Sequence, residues 1–395
     1  MRTLLTLSAM LLLGFALPAV AEGKLEILLS QNASKTESET GRLLVNLVFR
    51  NTGDRPIEFP SSYVPPEDGG KLGLNLLSVK SGNSIADYQG LHVRNISGSG
   101  SRAILGPGES LERTVDLSQS YLIAPNRSYS ISVRPLLRFK DAISAEPSSV
   151  RSSDAEAKAA TSNTIEVISG AVGSGAGLHR ADTLDSAQHP CSQAQNDSIS
   201  EAILNAGDLS LQAVKYTQSL LKYASPGYTF DQTARYTKWY GAYGDPNNFS
   251  SPNGMINGRI AWRLNVNAIR LGKIQGKLPN PPVLSTTCNC EASGAVNPAT
   301  TIAWVNPSAP YQINICPNFF SLPAIGNSMA SDSKAGTILH EISHFNDGYT
   351  AGTDDFGDPD QPVSEAKFMA ANGRDLAADN AYNIEFYSEN LEADQ

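Results

Sequence analysis

Histidine and cysteine are the scarce residues of this chain, and their scarcity bounds its chemistry. Only five histidines occur in 395 residues, and none follows His344. Only four cysteines occur, none of them before Cys191. Charge is modest as well, at 17% of residues, and the net charge of −9 with pI about 5.1 argues against nucleic acid or an anionic membrane as the main partner. Beyond Leu4 to Val20 no run is long and apolar enough to span a bilayer. No internal repeat is visible. At 41% hydrophobic the composition is that of an ordinary globular protein, and 395 residues exceed what one core usually covers, so two domains are expected.

The first 21 residues read as a secretion signal. Arg2 supplies a positive start, an apolar run follows, and Ala19-Val20-Ala21 is a small-residue cleavage site. A membrane anchor is the rival reading, but the apolar core is short and ends at that site. No cysteine follows it to carry a lipid. The expected product is secreted, extracellular or periplasmic in transit. An even cysteine number in an exported chain implies two disulfides. Cys288 and Cys290 have one residue between them and do not pair with each other. That leaves Cys191–Cys288 with Cys290–Cys316, or the crossed arrangement. A Cys₄ zinc site lacks the usual CxxC spacing.

Short alternating segments separated by turns fill residues 22–168. Leu43 to Phe49 alternates and ends in Asn51-Thr52-Gly53-Asp54, and Tyr129, Ile131 and Val133 alternate again. About seven such strands predict an antiparallel β-sandwich of immunoglobulin-like type. Residues 169–189, with Gly170, Gly173, Gly175 and Gly177, predict a flexible linker open to processing. Residues 190–395 turn mainly helical. Ile199, Ala202, Ile203, Ala206 and Leu209 recur at helical spacing, Trp262 to Ile269 suggests another helix, and Thr301 to Trp304 and Tyr311 to Ile315 suggest a small sheet.

His340-Glu341-Ile342-Ser343-His344 lies on a helix that Asp332 or Ser333 could cap. The spacing puts two imidazoles on one face, as a tetrahedral Zn²⁺ requires, with a glutamate beside the open position. A third protein ligand is needed, and no histidine remains downstream to supply it. Gly and His would stand at 347 and 350 in a three-histidine site of this kind, but Asp347 and Thr350 are there. A carboxylate is therefore expected. Asp347, Asp354, Asp355, Asp358, Asp360 and Glu365 are all candidates on position alone.

HExxH followed by Gly352-Thr353-Asp354-Asp355 resembles the aspzincins, the deuterolysin and peptidyl-Lys metalloendopeptidase family. Lys334-Ala335-Gly336-Thr337, Trp239-Tyr240-Gly241, Cys288-Asn289-Cys290 and the tail Asn380 to Asn390 are similar to that family too. The likeness covers residues 190–395 well, and the β-rich half resembles the family's propeptide region more loosely. The resemblance implies a zincin-like catalytic domain holding one Zn²⁺ on His340, His344 and Asp355, with Glu341 as general base. It implies the pairs Cys191–Cys288 and Cys290–Cys316. It implies protein or peptide substrates. The N-terminal half reads as the propeptide of a zymogen, an intramolecular inhibitor that blocks the cleft until cleavage in residues 169–189; a retained binding module and a structural spacer are the alternatives.

Two departures stand out. The family's G-T-x-D-x-x-Y-G is shortened here, since Phe356-Gly357 directly follows Asp355 and the tyrosine is missing. Tyr349 and Tyr382 are the candidates for that hydroxyl, which would help the oxyanion. In lysine-specific members an Asp and a Glu of the tail bind the substrate lysine. Glu385 matches the Glu, while Tyr382 stands where the Asp would be. A zinc-binding but inactive surface or toxin-like protein, or an amidase acting on cell-wall peptides, are the competing readings. They differ in whether a chelator abolishes peptide hydrolysis.

Overall fold

The structure is a computed structural model. It describes residues 22–32, 42–98, 102–134, 137–142, 157–170, 189–224, 227–242, 271–274, 276, 284–291, 295–309, 311–326, 331–345, 352–372 and 374–390. The expected signal, most of the expected linker, the helix suggested over Trp262 to Ile269, and Asp347, Tyr349 and Thr350 lie outside the described residues.

The first half is built from strands β1 Leu25–Gln31, β2 Leu44–Asn51, β3 Ile57–Pro60, β4 Leu77–Ser81, β5 Ser84–Ile85, β6 His92–Asn95, β7 Arg102–Leu105, β8 Ser110–Asp116, β9 Ser128–Val133, β10 Arg138–Asp141, β11 Lys158–Ala159, β12 Thr161–Ser162 and β13 Thr164–Ile168. A short α-helix, α1 Leu117–Ser120, lies among them, capped by the Asp116 side chain. Three four-stranded sheets result, in the orders β12-β1-β2-β8, β11-β10-β3-β7 and β13-β9-β4-β5. All their pairs are antiparallel except β1 with β12. Period-two alternation explains the pairing. Leu25, Ile27 and Leu29 of β1 and Val45, Leu47 and Phe49 of β2 all face one core, which Ile57, Val79, Ile131 and Val167 complete.

The second half contributes α2 Gln193–Leu220, the hairpin β14 Leu221–Ala224 and β15 Gly227–Phe230, α3 Ala234–Tyr240, β16 Ser285–Thr287, β17 Thr301–Val305, β18 Gln312–Ile315, α4 Lys334–Ser343, α5 Pro362–Asn372, α6 Arg374–Ala378 and α7 Ala381–Glu389. A separate core joins Ala202, Ala206 and Leu209 of α2 to Ile338 and Leu339 of α4 and Ile384 and Phe386 of α7. Cys191 is bonded to Cys288 and Cys290 to Cys316. No helix among the described residues is long and apolar enough to cross a membrane.

The sheet of this half is ordered β16-β18-β17-β6, so its outer strand comes from the first half. β6 runs antiparallel to β17, with Val93 opposite Trp304 and His92 opposite Val305. Val93 packs into a small core with Leu91, Trp304 and the Cys290–Cys316 disulfide. Alternation then turns His92 and Arg94 to the other face.

Helix α4 is capped by Ser333, whose hydroxyl accepts from the Gly336 N–H at 2.9 Å. Gly336 lets α7 approach. A Cβ there would stand 2.8 Å from carboxylate oxygens of both Glu385 and Glu389. Glu389 accepts from Ser333 and, at 2.8 Å, from the Gly326 N–H. Burial, followed by the neighbouring Glu385, pushes its carboxyl up to about 7. A folded-state value above the unfolded one means stability that is full below pH 4.5 and is lost as pH rises through 7. Two to three units correspond to about 3 kcal/mol. Glu389→Gln should therefore flatten the fall in urea midpoint between pH 5 and pH 8. An unchanged pH slope would count against this assignment.

Candidate metal centre and active site

α4 carries His340 and Glu341 in its last turn, with His344 as its C-cap residue. All three are buried. The chain then returns through Gly352-Thr353. A Cβ on Gly352 would stand 2.0 Å from the His344 carbonyl oxygen, so only glycine permits this approach. Thr353 takes up the contact. Its N–H donates to Ser343 O at 2.9 Å, its hydroxyl meets the Ser343 hydroxyl, and its carbonyl accepts from His344 Nδ1 at 2.8 Å. That last bond orients the His344 ring so that Nε2 faces inward. Asp354 is then held by an isolated bridge to Asn380 at the start of α7, and Asp355 is placed against the histidines.

Asp355 Oδ1 lies 2.9 Å from His340 Nε2, and Oδ2 lies 3.5 Å from His344 Nε2. None of these atoms has a hydrogen-bond partner of normal geometry among the described residues. Buried nitrogens and carboxylate oxygens that converge without bonding one another are costly unless a cation sits between them. Two imidazoles and a carboxylate are a donor set that zinc accepts. The residues therefore fit the metal. His340 Nδ1 stands 3.2 Å from Glu385 Oε2, a carboxylate–imidazole contact that orients the ring from behind.

The charges follow from this crowding. Burial opposes protonation of His340, but Asp355 outweighs it and pushes the imidazole up to about 9. Burial, aided by His92, holds His344 well below its ordinary range. Asp355 is held well below the usual carboxylate range by His344 and His340 despite its burial. Glu341 is pushed up to about 8, chiefly by burial, and neither of its oxygens has a partner among the described residues. A dication on this cluster would pull both carboxyls down.

Among the described residues, the other carboxylates considered from sequence are engaged elsewhere, each by an arginine of the first half. Asp354 pairs with Arg134 at 2.6 Å, Asp358 with Arg102 at 2.7 Å, Asp360 with Arg102 at 3.6 Å and Glu365 with Arg138 at 3.3 Å. Phe356, where the shortened loop follows Asp355, is buried under Arg134.

Glu385 is fully buried and accepts from Arg94 Nη2 at 2.6 Å. Asp332 accepts from the same nitrogen at 2.9 Å. The guanidinium lies 5.2 Å from the Tyr382 ring centroid, and that ring meets His340 edge-on at 4.5 Å. Tyr382 therefore walls the pocket, and its buried hydroxyl has no hydrogen-bond partner among the described residues. Sequence reasoning missed three of these residues, His92, Arg94 and Asp332. His92 stacks on His344 at 3.9 Å and lies 3.5 Å from Asp355. The available signal was the polar–apolar–polar run His92-Val93-Arg94 after Gly90.

Residues 268–389 match the aspzincin family, described as lysine-specific metallo-endopeptidase. An extracellular protease of Aeromonas hydrophila is 28% identical over 388 residues, covering 97% of this chain and 96% of that protein. A peptidyl-Lys metalloendopeptidase of Grifola frondosa is 26% identical over 291 residues, 73% of this chain and 69% of its own length. The solved zinc peptidase from Grifola frondosa aligns with 52% of this chain and all of its own, at 27% identity and a TM-score of 0.38. Residues 268–389 match the aspzincin family, and these relatives support a zinc metalloendopeptidase.

Proposed function

We propose that the chain is an exported precursor of an endopeptidase in which His340, His344 and Asp355 hold one zinc and Glu341 is the general base. The convergence of unpartnered buried donors beside Glu341 carries this reading. Bound there, zinc supplies Lewis acidity to a water and to the scissile carbonyl. Glu341 takes the proton of the attacking water and delivers it to the leaving nitrogen. Glu385 keeps the His340 ring aligned through Nδ1.

The same reading gives the S1′ subsite a preference for lysine or arginine. Glu385 and Asp332 already accept one guanidinium, and the Tyr382 face suits an aliphatic stem. Asp332 thus supplies the second carboxylate where Tyr382 replaces the family's Asp. Cleavage of a peptide library, read by mass spectrometry with wild type and Glu341→Gln, should show basic residues dominating P1′ in the wild type alone. An even spread over P1′ residues would remove the specificity part. Products surviving a zinc chelator would remove the mechanism.

The N-terminal half, an immunoglobulin-like sandwich in this proposal, acts as intramolecular inhibitor. An extended substrate adds to an exposed sheet edge through main-chain hydrogen bonds. β6 already occupies the edge of β17 and puts a basic side chain into the acidic pocket. Intact mass of the secreted protein should reveal a mature species beginning within residues 169–189.

A further inference from the structure

We infer that His92 is a fourth protein ligand of the zinc in the uncleaved chain, taking the coordination position that the attacking water needs. The inference rests on the site being the zinc centre proposed above, and it goes beyond steric blockage. His92, His344 and Asp355 each offer a ligand atom, all within 4.8 Å of one another, and all three residues are buried.

The first argument is polar satisfaction. His92 is buried, and its Nδ1 has no hydrogen-bond partner among the described residues. The 3.5 Å separation from Asp355 Oδ2 is too long for a normal N–H···O bond. Leaving such an atom unsatisfied is costly, and an apolar side chain stacked on His344 would avoid that cost. Tetrahedral zinc with nitrogen ligands near 2.0–2.1 Å holds its donors about 3.3–3.5 Å apart. His92 Nδ1 and His344 Nε2 each stand 3.5 Å from Asp355 Oδ2, which is that spacing.

The second argument is placement. His92 pairs with Val305 of β17, and two residues later Arg94 is anchored by Glu385 and Asp332. Alternate residues share a face, so the ion pair and the sheet ladder together hold the imidazole against the ligands. With His340, whose Nε2 lies 2.9 Å from Asp355 Oδ1, the proposed site has four donors, His92, His340, His344 and Asp355. Closed four-ligand sites are structural and lack the open position that catalysis requires. Latency is then a property of the metal's coordination as well as of access.

The test is zinc X-ray absorption on the full chain carrying Glu341→Gln, which keeps it uncut, with and without His92→Ala. Three imidazoles per zinc are expected in the chain that retains His92 and two in His92→Ala. Transfer of zinc to a chromogenic chelator should be about tenfold or more faster in the His92→Ala chain. Zinc bound by two imidazoles in the chain that retains His92 would overturn the inference and leave the peptidase reading intact. Failure to bind zinc at all would overturn both. The imidazole count in the chain with His92 decides the matter even if His92→Ala does not fold.

Discussion

Glu341→Gln is expected to lower peptide hydrolysis about 10²- to 10⁴-fold while the protein still folds and binds one zinc. The range is that of a lost general acid–base catalyst. Glutamine keeps the shape and cannot take the proton. The side chain is fully buried, and its carboxyl is pushed up to about 8 by that burial, so the fold spends free energy to ionise it. Replacing it by a neutral amide should leave stability at neutral pH equal or higher. Steady-state kinetics, zinc stoichiometry and a thermal midpoint together test this. A variant with full activity would remove Glu341 from the mechanism. A variant without zinc would show that Glu341 serves the metal site instead.

Arg94→Ala is expected to have the second large effect, on latency. Arg94 is fully buried and its Nη2 bridges Glu385 and Asp332. Asp332 retains the Ser97 N–H and hydroxyl as donors, but Glu385 would lose its donor from β6. Breaking one side of a buried ion pair costs about 3–5 kcal/mol. That loss falls on the seating of β6, so the intact variant should hydrolyse peptides before any processing and should denature earlier than wild type. Arg94→Lys should be milder, because an ammonium keeps the charge and loses the planar fork. An intact Arg94→Ala chain as inert and as stable as wild type would sink the substrate-like role of β6.

The sequence made the half that carries HExxH far more legible than the strand-rich half. HExxH is local: three functional side chains sit within one helix turn, and helical period alone predicts that His340 and His344 share a face. The absence of any later histidine forced a carboxylate, and a resemblance singled out Asp355. Position alone left six carboxylates open, because what separates them is non-local. Asp354, Asp358, Asp360 and Glu365 are engaged by Arg134, Arg102 and Arg138. Arg94 and Glu385 are 291 positions apart, and nothing in either neighbourhood announces the other. β6 is only four residues long, too short for alternation to declare it, and its pairing with β17 is set by tertiary packing of Val93 on Trp304. Position before the helix leaves Asp332 and Ser333 as equal candidates for its cap. The structure gives the cap to Ser333 and turns Asp332 to Arg94.

The shared sheet has a consequence for timing. β6 is fastened by its ladder with β17 and by Arg94, and neither bond depends on the covalent link near residues 169–189. On the proposed inhibitor role of the first half, cutting that link should leave a two-piece complex in which the peptide track is still filled. Activity must then appear at a rate set by escape of one piece from the other. It should lag behind the cut, quicken on dilution, and be undone by adding the severed half back.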